Sequence, residues 1–454
     1  MNNEVKRVNH RTSGNRNAQN HSAAMSRRIL SKIVAGFCTS FCTLYFSYSA
    51  SGQTVTRGPY LQISTSTSIV VRWRTDVATD SRVSYGPAQG KLTSQVDQTT
   101  LTTEHEVRLT GLTPDARYYY YIGSTNATLA GGDTDHFFVT APKPGTEKPV
   151  RVWVIGDSGT ANKKARAVRN AYFGFNRTAY TDVWLMLGDN AYPNGTDSDY
   201  QRAVFEMYPS LLRQTVLWPT LGNHDGHSAD SDTQRGVYYD IFTLPREGEA
   251  GGVASGTEAY YSFDYANIHF ICLDSHDSDR SPGGPMLTWL QNDLAATTQE
   301  WIIAYWHHPP YSKGFHDSDR ERPLVEMRKN VLPILESYGV DLVLSGHSHS
   351  YERSFQLHEH YGTSDTLTKD MLLDNGNGRE NGDGPYMKRS KGAVYVVAGS
   401  SGMTGRGSLN HPVMHLSLKQ LGSLVLHIDG DKLDATFIDN TGRIRDYFTI
   451  LKTD

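Results

Sequence analysis

Three cysteines in 454 residues are too few for a disulfide framework. Cys38 and Cys42 fall in the first 52 residues, which read as a leader, so only Cys272 would remain in a processed chain. Cys272 sits in the apolar run Ile-His-Phe-Ile-Cys-Leu, where a buried structural thiol is expected rather than a nucleophile. Beyond residue 52 no stretch reaches the ~18–20 apolar residues of a membrane span, which excludes a polytopic membrane protein. Basic excess is also missing: Lys+Arg is 44 against Asp+Glu 48, net −4, which speaks against a binder of nucleic-acid backbones. At 38% hydrophobic and 20% charged residues, the composition is that of a globular protein with room for two or more domains.

Residues 1–52 differ from the rest. Arg27, Arg28 and Lys32 precede a soft apolar run, Ile33 to Phe46, and small residues follow up to Ala50-Ser51-Gly52. Basic, apolar, small is the order of a secretory signal peptide, and Met25 is an alternative start. An exported chain, secreted or periplasmic and free of the membrane after cleavage, is expected.

From Gln53 to about residue 144 the pattern is all-β. Ile69, Val71 and Trp73 alternate with Val70, Arg72 and Arg74, and further short strands are read at 106–112 and 118–122. Turn signals at regular spacing suggest a small β-sandwich. Gly111-Leu112-Thr113-Pro114 followed by Tyr118 and Tyr120 resembles the strand-and-corner pattern of a fibronectin type III domain. Ala141-Pro142-Lys143-Pro144-Gly145 reads as a linker. Apolar strands then alternate with helical stretches from residue 149 onward, which predicts an α/β layered domain running to residue 454 and closing on β-strands. Helices are expected at about 162–172, 197–211, 285–296 and 321–338, and 374–392 reads as an exposed loop.

Five short clusters end predicted strands: Gly156-Asp157-Ser158-Gly159, Gly188-Asp189-Asn190-Ala191-Tyr192, Gly222-Asn223-His224-Asp225, His307-His308-Pro309 and Gly346-His347-Ser348-His349. Sites form at the carboxyl ends of strands in open α/β architectures, and glycine lets backbone approach them closely. Carboxylates, imidazoles, an amide and a phenol form a mixed O/N donor set suited to Fe, Zn or Mn. Seven donors are too many for one catalytic ion with open positions. They suit two ions about 3.5–4 Å apart, the arrangement used for in-line displacement at phosphorus. On extended backbone, His347 and His349 at i and i+2 would face the same side.

The five clusters in this order, with Tyr192, resemble the purple acid phosphatases of the calcineurin-like metallophosphoesterases. The resemblance covers about residues 53 to 450 and implies a four-layer α/β/β/α catalytic sandwich behind a fibronectin type III-like domain. It implies a ferric ion held by Asp157, Asp189, Tyr192 and His349. A second divalent ion (Zn, Fe or Mn) would be held by Asp189, Asn223, His307 and His347, and a metal hydroxide would be the nucleophile. His224 would contact the phosphate and help protonate the leaving group, and His316 lies where plant relatives carry substrate-pocket histidines. Asp225 is read as orienting His224, His308 as pointing away, and Tyr351 with Arg353 equally as stabilising the site or as an ion-pair string near the surface. One position departs from the family pattern: Ala304 stands where Val is common. The activity implied is hydrolysis of small phosphate monoesters at acid pH by a monomer or homodimer. A phosphodiesterase or nucleotide pyrophosphatase, and an inert secreted binding protein, are the alternatives. Asn126, Asn176 and Asn194 begin glycosylation sequons.

Overall fold

The structure, a computed structural model, describes residues 52–453. The expected signal peptide, except for its last residue, lies outside them. Among the described residues no helix is long and apolar enough to cross a membrane.

Six strands between Val55 and Val139 form one connected all-β unit. Its two long members, Ser68–Gly86 and Ser94–Thr110, pair antiparallel but slip register around Thr79. Beyond that slip Ser68–Gly86 exchanges Val55–Gln62 for Arg117–Gly123 as its second neighbour. The bulge therefore bends two strands across both halves of the unit. The Tyr118 hydroxyl accepts a hydrogen bond from the Thr113 amide at 2.9 Å, closing the corner that the sequence suggested. One expectation needs correction. Strict alternation with Ile69, Val71 and Trp73 would put Val70 and Arg72 on an outer face, yet both are buried. Their face is covered by the segment 240–243, where Arg72 donates to the Asp240 carbonyl and to Thr243. Local alternation cannot reveal a face that a distant segment covers.

The rest of the chain builds two large mixed sheets. In the seven-stranded sheet Val150–Ile155, Val183–Met186 and Leu217–Pro219 run parallel, flanked by the antiparallel C-terminal strands 422–429, 432–439 and 444–452. In the eight-stranded sheet Ile268–Cys272, Trp301–Trp306, Leu342–Ser345 and Ala393–Ala398 run parallel. These strands are continuous apolar runs because both faces are covered. Lys163–Asn176 packs on the C-terminal strands 422–429 and 432–439, and its start is fixed by the Asn162 side chain, which accepts from the amides of Lys164 and Ala165. Within this helix the ring of Tyr172 stacks on Trp153 at 4.2 Å. The helix expected over 197–211 is broken into Asp197–Tyr200, a π-turn over 201–205 and Pro209–Leu212. Pro209 cannot donate into a continuing helix, so it starts a new one. The loop expected over 374–392 contains a short strand, Tyr386–Lys388, on the edge of the seven-stranded sheet.

Two polar networks lie inside this apolar frame. Arg353, on the strand Tyr351–Leu357, makes a bidentate pair with Asp446 at 2.6 and 3.0 Å, and Tyr351 donates to the same carboxylate. Arg353 and Asp446 are fully buried, so the string read as a surface ion pair instead ties the two sheets together. The second network holds the helix Pro285–Ala296 to its sheet. His269 is buried between Asp264 (2.7 Å) and Asp293 (2.9 Å). Asp293 also accepts from Ser262 and from the Val253 amide.

Burial alone would lower the pKa of His269, but its two carboxylate partners outweigh it and push it up to about 9. Its stabilising charge is fully present below the unfolded histidine value of about 6.5 and is lost as pH rises through 9. His269→Gln should destabilise the fold by about 3 kcal/mol at pH 7, because the buried Asp293 and the half-buried Asp264 lose their cation. Thermal melting between pH 7 and 10 checks this: the parent should lose stability more steeply than the variant.

Candidate metal centre

Six of the seven proposed donors occupy loops that leave the carboxyl ends of parallel strands in the two sheets. Tyr192 follows three residues after Asp189. Three donor-bearing residues adopt left-handed backbone: Asp157 (φ 53°), Asp189 (φ 51°) and His347 (φ 63°). Each costs on the order of 1–2 kcal/mol for a non-glycine residue. The loops hold them there: the Asp157 amide donates to the Gly188 carbonyl, and the His347 amide to Asp157 Oδ2 at 2.8 Å. Glycine is required where these loops cross. A Cβ on Gly222 would lie 2.1 Å from the Asp189 amide, and one on Gly346 2.7 Å from Asp157 Oδ2.

Two donor groups result. In the first, the Tyr192 hydroxyl lies 2.8 Å from Asp189 Oδ2, 3.3 Å from Asp157 Oδ1 and 3.2 Å from His349 Nε2. In the second, Asn223 Oδ1 lies 3.0 Å from both His307 Nε2 and His347 Nδ1, which are 3.1 Å apart. Asp189 joins them: its Oδ2 meets Tyr192, while its Oδ1 is 3.5 Å from His307 Nε2. The expectation of extended backbone at His347-Ser348-His349 is corrected. Left-handed His347 turns the chain so that its imidazole enters the second group while His349 enters the first.

The chemistry of the second group tests whether a cation fits. His307 Nδ1 donates to the Leu187 carbonyl at 2.8 Å, leaving Nε2 as a lone pair. His347 Nε2 faces Glu321 Oε2 at 3.4 Å, leaving its Nδ1 as a lone pair. Asn223 presents its carbonyl oxygen. Three lone pairs thus converge on one point, which is favourable only around a positive charge. Donor separations near 3 Å are short enough for the three atoms to share one ion at bonds of about 2.1 Å.

Electrostatics agree with a cation site. His347 is pushed down to about 4, chiefly by burial, so it is neutral over the ordinary pH range and free to ligate. Burial would raise the Asp189 carboxyl, but the nearby His307 and His224 imidazoles and the His224 amide hold it below the usual range. Burial, together with the charges of Asp157 and Asp189, pushes the Tyr192 phenol far up.

Beside these groups, the structure brings His224 and His316 to the cleft. His224 Nδ1 lies 2.6 Å from the Pro193 carbonyl, which can only accept, so Nε2 faces the cleft, 4.0 Å from Asp189 Oδ2. His316 stacks on His347 at 3.7 Å and bonds through Nδ1 to both Glu321 oxygens, at 2.8 and 3.0 Å. His308 does not point away as read. Its ring lies 4.3 Å from that of His347 and its Nδ1 is held by Ser275. Asp225 does not orient His224. It is buried and accepts from the Gly222 amide, the Asn190 amide and side chain, and the Tyr200 hydroxyl. Burial and the neighbouring Asp189 charge push it up to about 7. It therefore ties together the loops that carry Asp189 and Asn223.

Sequence reasoning missed Glu321 entirely. Its signal was an acid five residues after His316, of the kind that holds a working imidazole. Asn176, read as a sequon, is nearly buried with both ends of its amide occupied, by Arg151 and the Ala179 carbonyl, whereas Asn126 and Asn194 are exposed. Cys272 is buried, and burial pushes its thiol up to about 12, so it is unreactive.

Paired sheets with such donor loops define the metallophosphoesterase class, and residues 150–351 match the calcineurin-like phosphoesterase family. Residues 57–140 match the purple acid phosphatase N-terminal domain. Over these two segments the chain is similar to the purple acid phosphatases. It is 29% identical over 286 residues to purple acid phosphatase 15 of Arabidopsis thaliana, covering 56% of this chain and 50% of that protein. It is 28% identical over 331 residues to purple acid phosphatase 1 of Ipomoea batatas, covering 68% of this chain and 65% of that one. The chain thus spans half to two-thirds of the length of these relatives. The yellow lupin purple acid phosphatase PPD1 shares the fold, with TM-score 0.68 at 19% identity over 87% of this chain and 75% of that one. The structure of PhoD does so at TM-score 0.59 and 14% identity, over 87% of this chain and 90% of that one.

Asp225→Asn would place an amide NH₂ against four donors. It should lower metal affinity by about 10–100-fold without touching a donor atom, as read by metal retained against a graded chelator.

Proposed function

We propose that the chain is an exported acid phosphatase that hydrolyses small phosphate monoesters at a dinuclear metal site. The observation that carries this reading is the division of Asp189, with one oxygen facing each donor group. On this reading Asp157, Asp189, Tyr192 and His349 would hold a ferric ion, and Asp189, Asn223, His307 and His347 would hold a divalent ion, Zn, Fe or Mn. Bound ions of this kind supply a water-derived nucleophile near neutral pH and neutralise charge on the phosphoryl oxygens.

The chain's own residues do the rest. Asp157 and Asp189 bring negative charge to balance the cations. Pro193 accepts from His224 Nδ1–H and so turns Nε2 toward the phosphoryl group; in its imidazolium form His224 would pass the Nε2 proton to the departing ester oxygen as the P–O bond breaks and be left neutral. His316, held by Glu321 and stacked on His347, forms the facing wall that contacts the ester. An exported location rests on the basic–apolar–small order of residues 1–52.

The test is hydrolysis of an aryl phosphate monoester and its diester by the chain from Gln53 onward, at pH 4 to 9. An acid optimum with monoester preference is expected, whereas a diester preference moves the function to diesters. Asp189→Ala should lose both metals and almost all turnover. On this reading a Tyr192 phenolate on the ferric ion would give a visible, purple charge-transfer band; Tyr192→Phe should lose that band first, with iron held more weakly, and a purple, fully active Tyr192→Phe would contradict the ferric assignment.

A further inference from the structure

Phe315 is an aromatic ring left 51% exposed beside the donor groups. A lone exposed apolar residue needs no explanation by itself. Phe315, however, is locked in place. Its amide donates to Ser348 Oγ at 3.0 Å, and Ser348 is bonded to Ser312, which donates to the buried Glu352. The loop 405–409 clamps the other side. The Gly405 amide donates to the His349 carbonyl, and the Leu409 amide to that of Lys313, both at 2.8 Å. A Cβ on Gly405 would lie 2.4 Å from Phe315 Cβ, so only glycine allows this seat.

The ring's position gives the lock a use. Phe315 stacks on His349 with centroids 5.2 Å apart and planes 9° apart, and meets His316 edge-on at 4.8 Å. One aromatic edge thus borders the first donor group and continues outward from His349 into solvent. With a phosphoryl group seated on the two donor groups, an ester substituent leaving on the side of His349 and His316 would pass this ring. Planar aromatic groups gain from offset or edge contacts with such a ring, and compact polyols do not.

We propose that Phe315 is a specificity residue: a fixed apolar platform that favours phosphate monoesters carrying a planar aromatic ring close to the ester oxygen. The inference rests on the phosphatase reading above. It differs from a structural role for Phe315, which would support His349 and affect every ester alike.

The experiment measures kcat/KM for 4-nitrophenyl phosphate and for glycerol 2-phosphate in the parent, Phe315→Ala, Phe315→Leu and Phe315→Trp, with metal content determined in each. Comparing variants through the ratio of the two esters cancels their different leaving-group reactivities. The aryl-to-glycerol ratio should fall about fivefold in Phe315→Ala and Phe315→Leu, mainly through KM, and be retained in Phe315→Trp. Phe315→Leu keeps apolar cover on Gly405 and His349, so the result survives if the alanine variant folds poorly. An unchanged ratio, or equal losses on both esters in step with metal loss, overturns the platform while leaving the phosphatase reading intact. A metal-loaded parent that turns over neither ester defeats the phosphatase reading, and the platform with it.

Discussion

Asp189 is the constraint around which the site is arranged. One carboxylate has two oxygens, and each faces a different set of donors: a phenol, a carboxylate and an imidazole on one side, and an amide and two imidazoles on the other. For that to happen Asp189 must sit in left-handed backbone, Gly222 must have no side chain, and the Gly222–Asp225 turn must pack against it. Local strain of this kind persists only where the surroundings over-determine it. Here they do so through backbone amides: His224 donates to Asp189 Oδ1, while Asn190 and Gly222 donate to Asp225.

That support reaches the N-terminal sheet. Arg57 and Arg74 both bind the Asp197 carboxylate at the start of the segment 197–212. Three residues on, Tyr200 donates to Asp225 at 2.6 Å. Through the short helix Asp197–Tyr200, hydrogen bonds at its two ends therefore link the all-β unit to the loops that carry Asp189 and Asn223. Arg57 is buried, whereas Asp197 is partly exposed, so this ion pair adds little stability by itself. Its geometric effect is to fix where Tyr200 stands. The N-terminal unit contributes none of the seven proposed donors, yet through Asp225 it buttresses the loops that carry Asp189 and Asn223.

Much of this was legible in the sequence because each donor loop follows an apolar strand and carries glycine where chains cross. The parallel strands, the corner at Tyr118 and the five clusters all depend on short-range patterns. Readings that required distant partners were the ones that failed. Asp225 looked like a partner for its neighbour His224, but its carboxylate points to Asn190 and Tyr200. Arg353 looked like a surface charge until the last strand brought Asp446 against it. Glu321 carried no motif, since its meaning comes from a fold that places it between His316 and His347. Left-handed His347 was invisible because histidine rarely adopts that backbone without tertiary support.

Anomalous X-ray scattering from crystals of the metal-loaded chain would test the central claim most directly. The account predicts two scattering peaks about 3.5–4 Å apart, with Asp189 giving one oxygen to each. Tyr192 should be bound to one ion only, and Asn223 to the other. A single peak, or two peaks with Asp189 bound to only one of them, would contradict it.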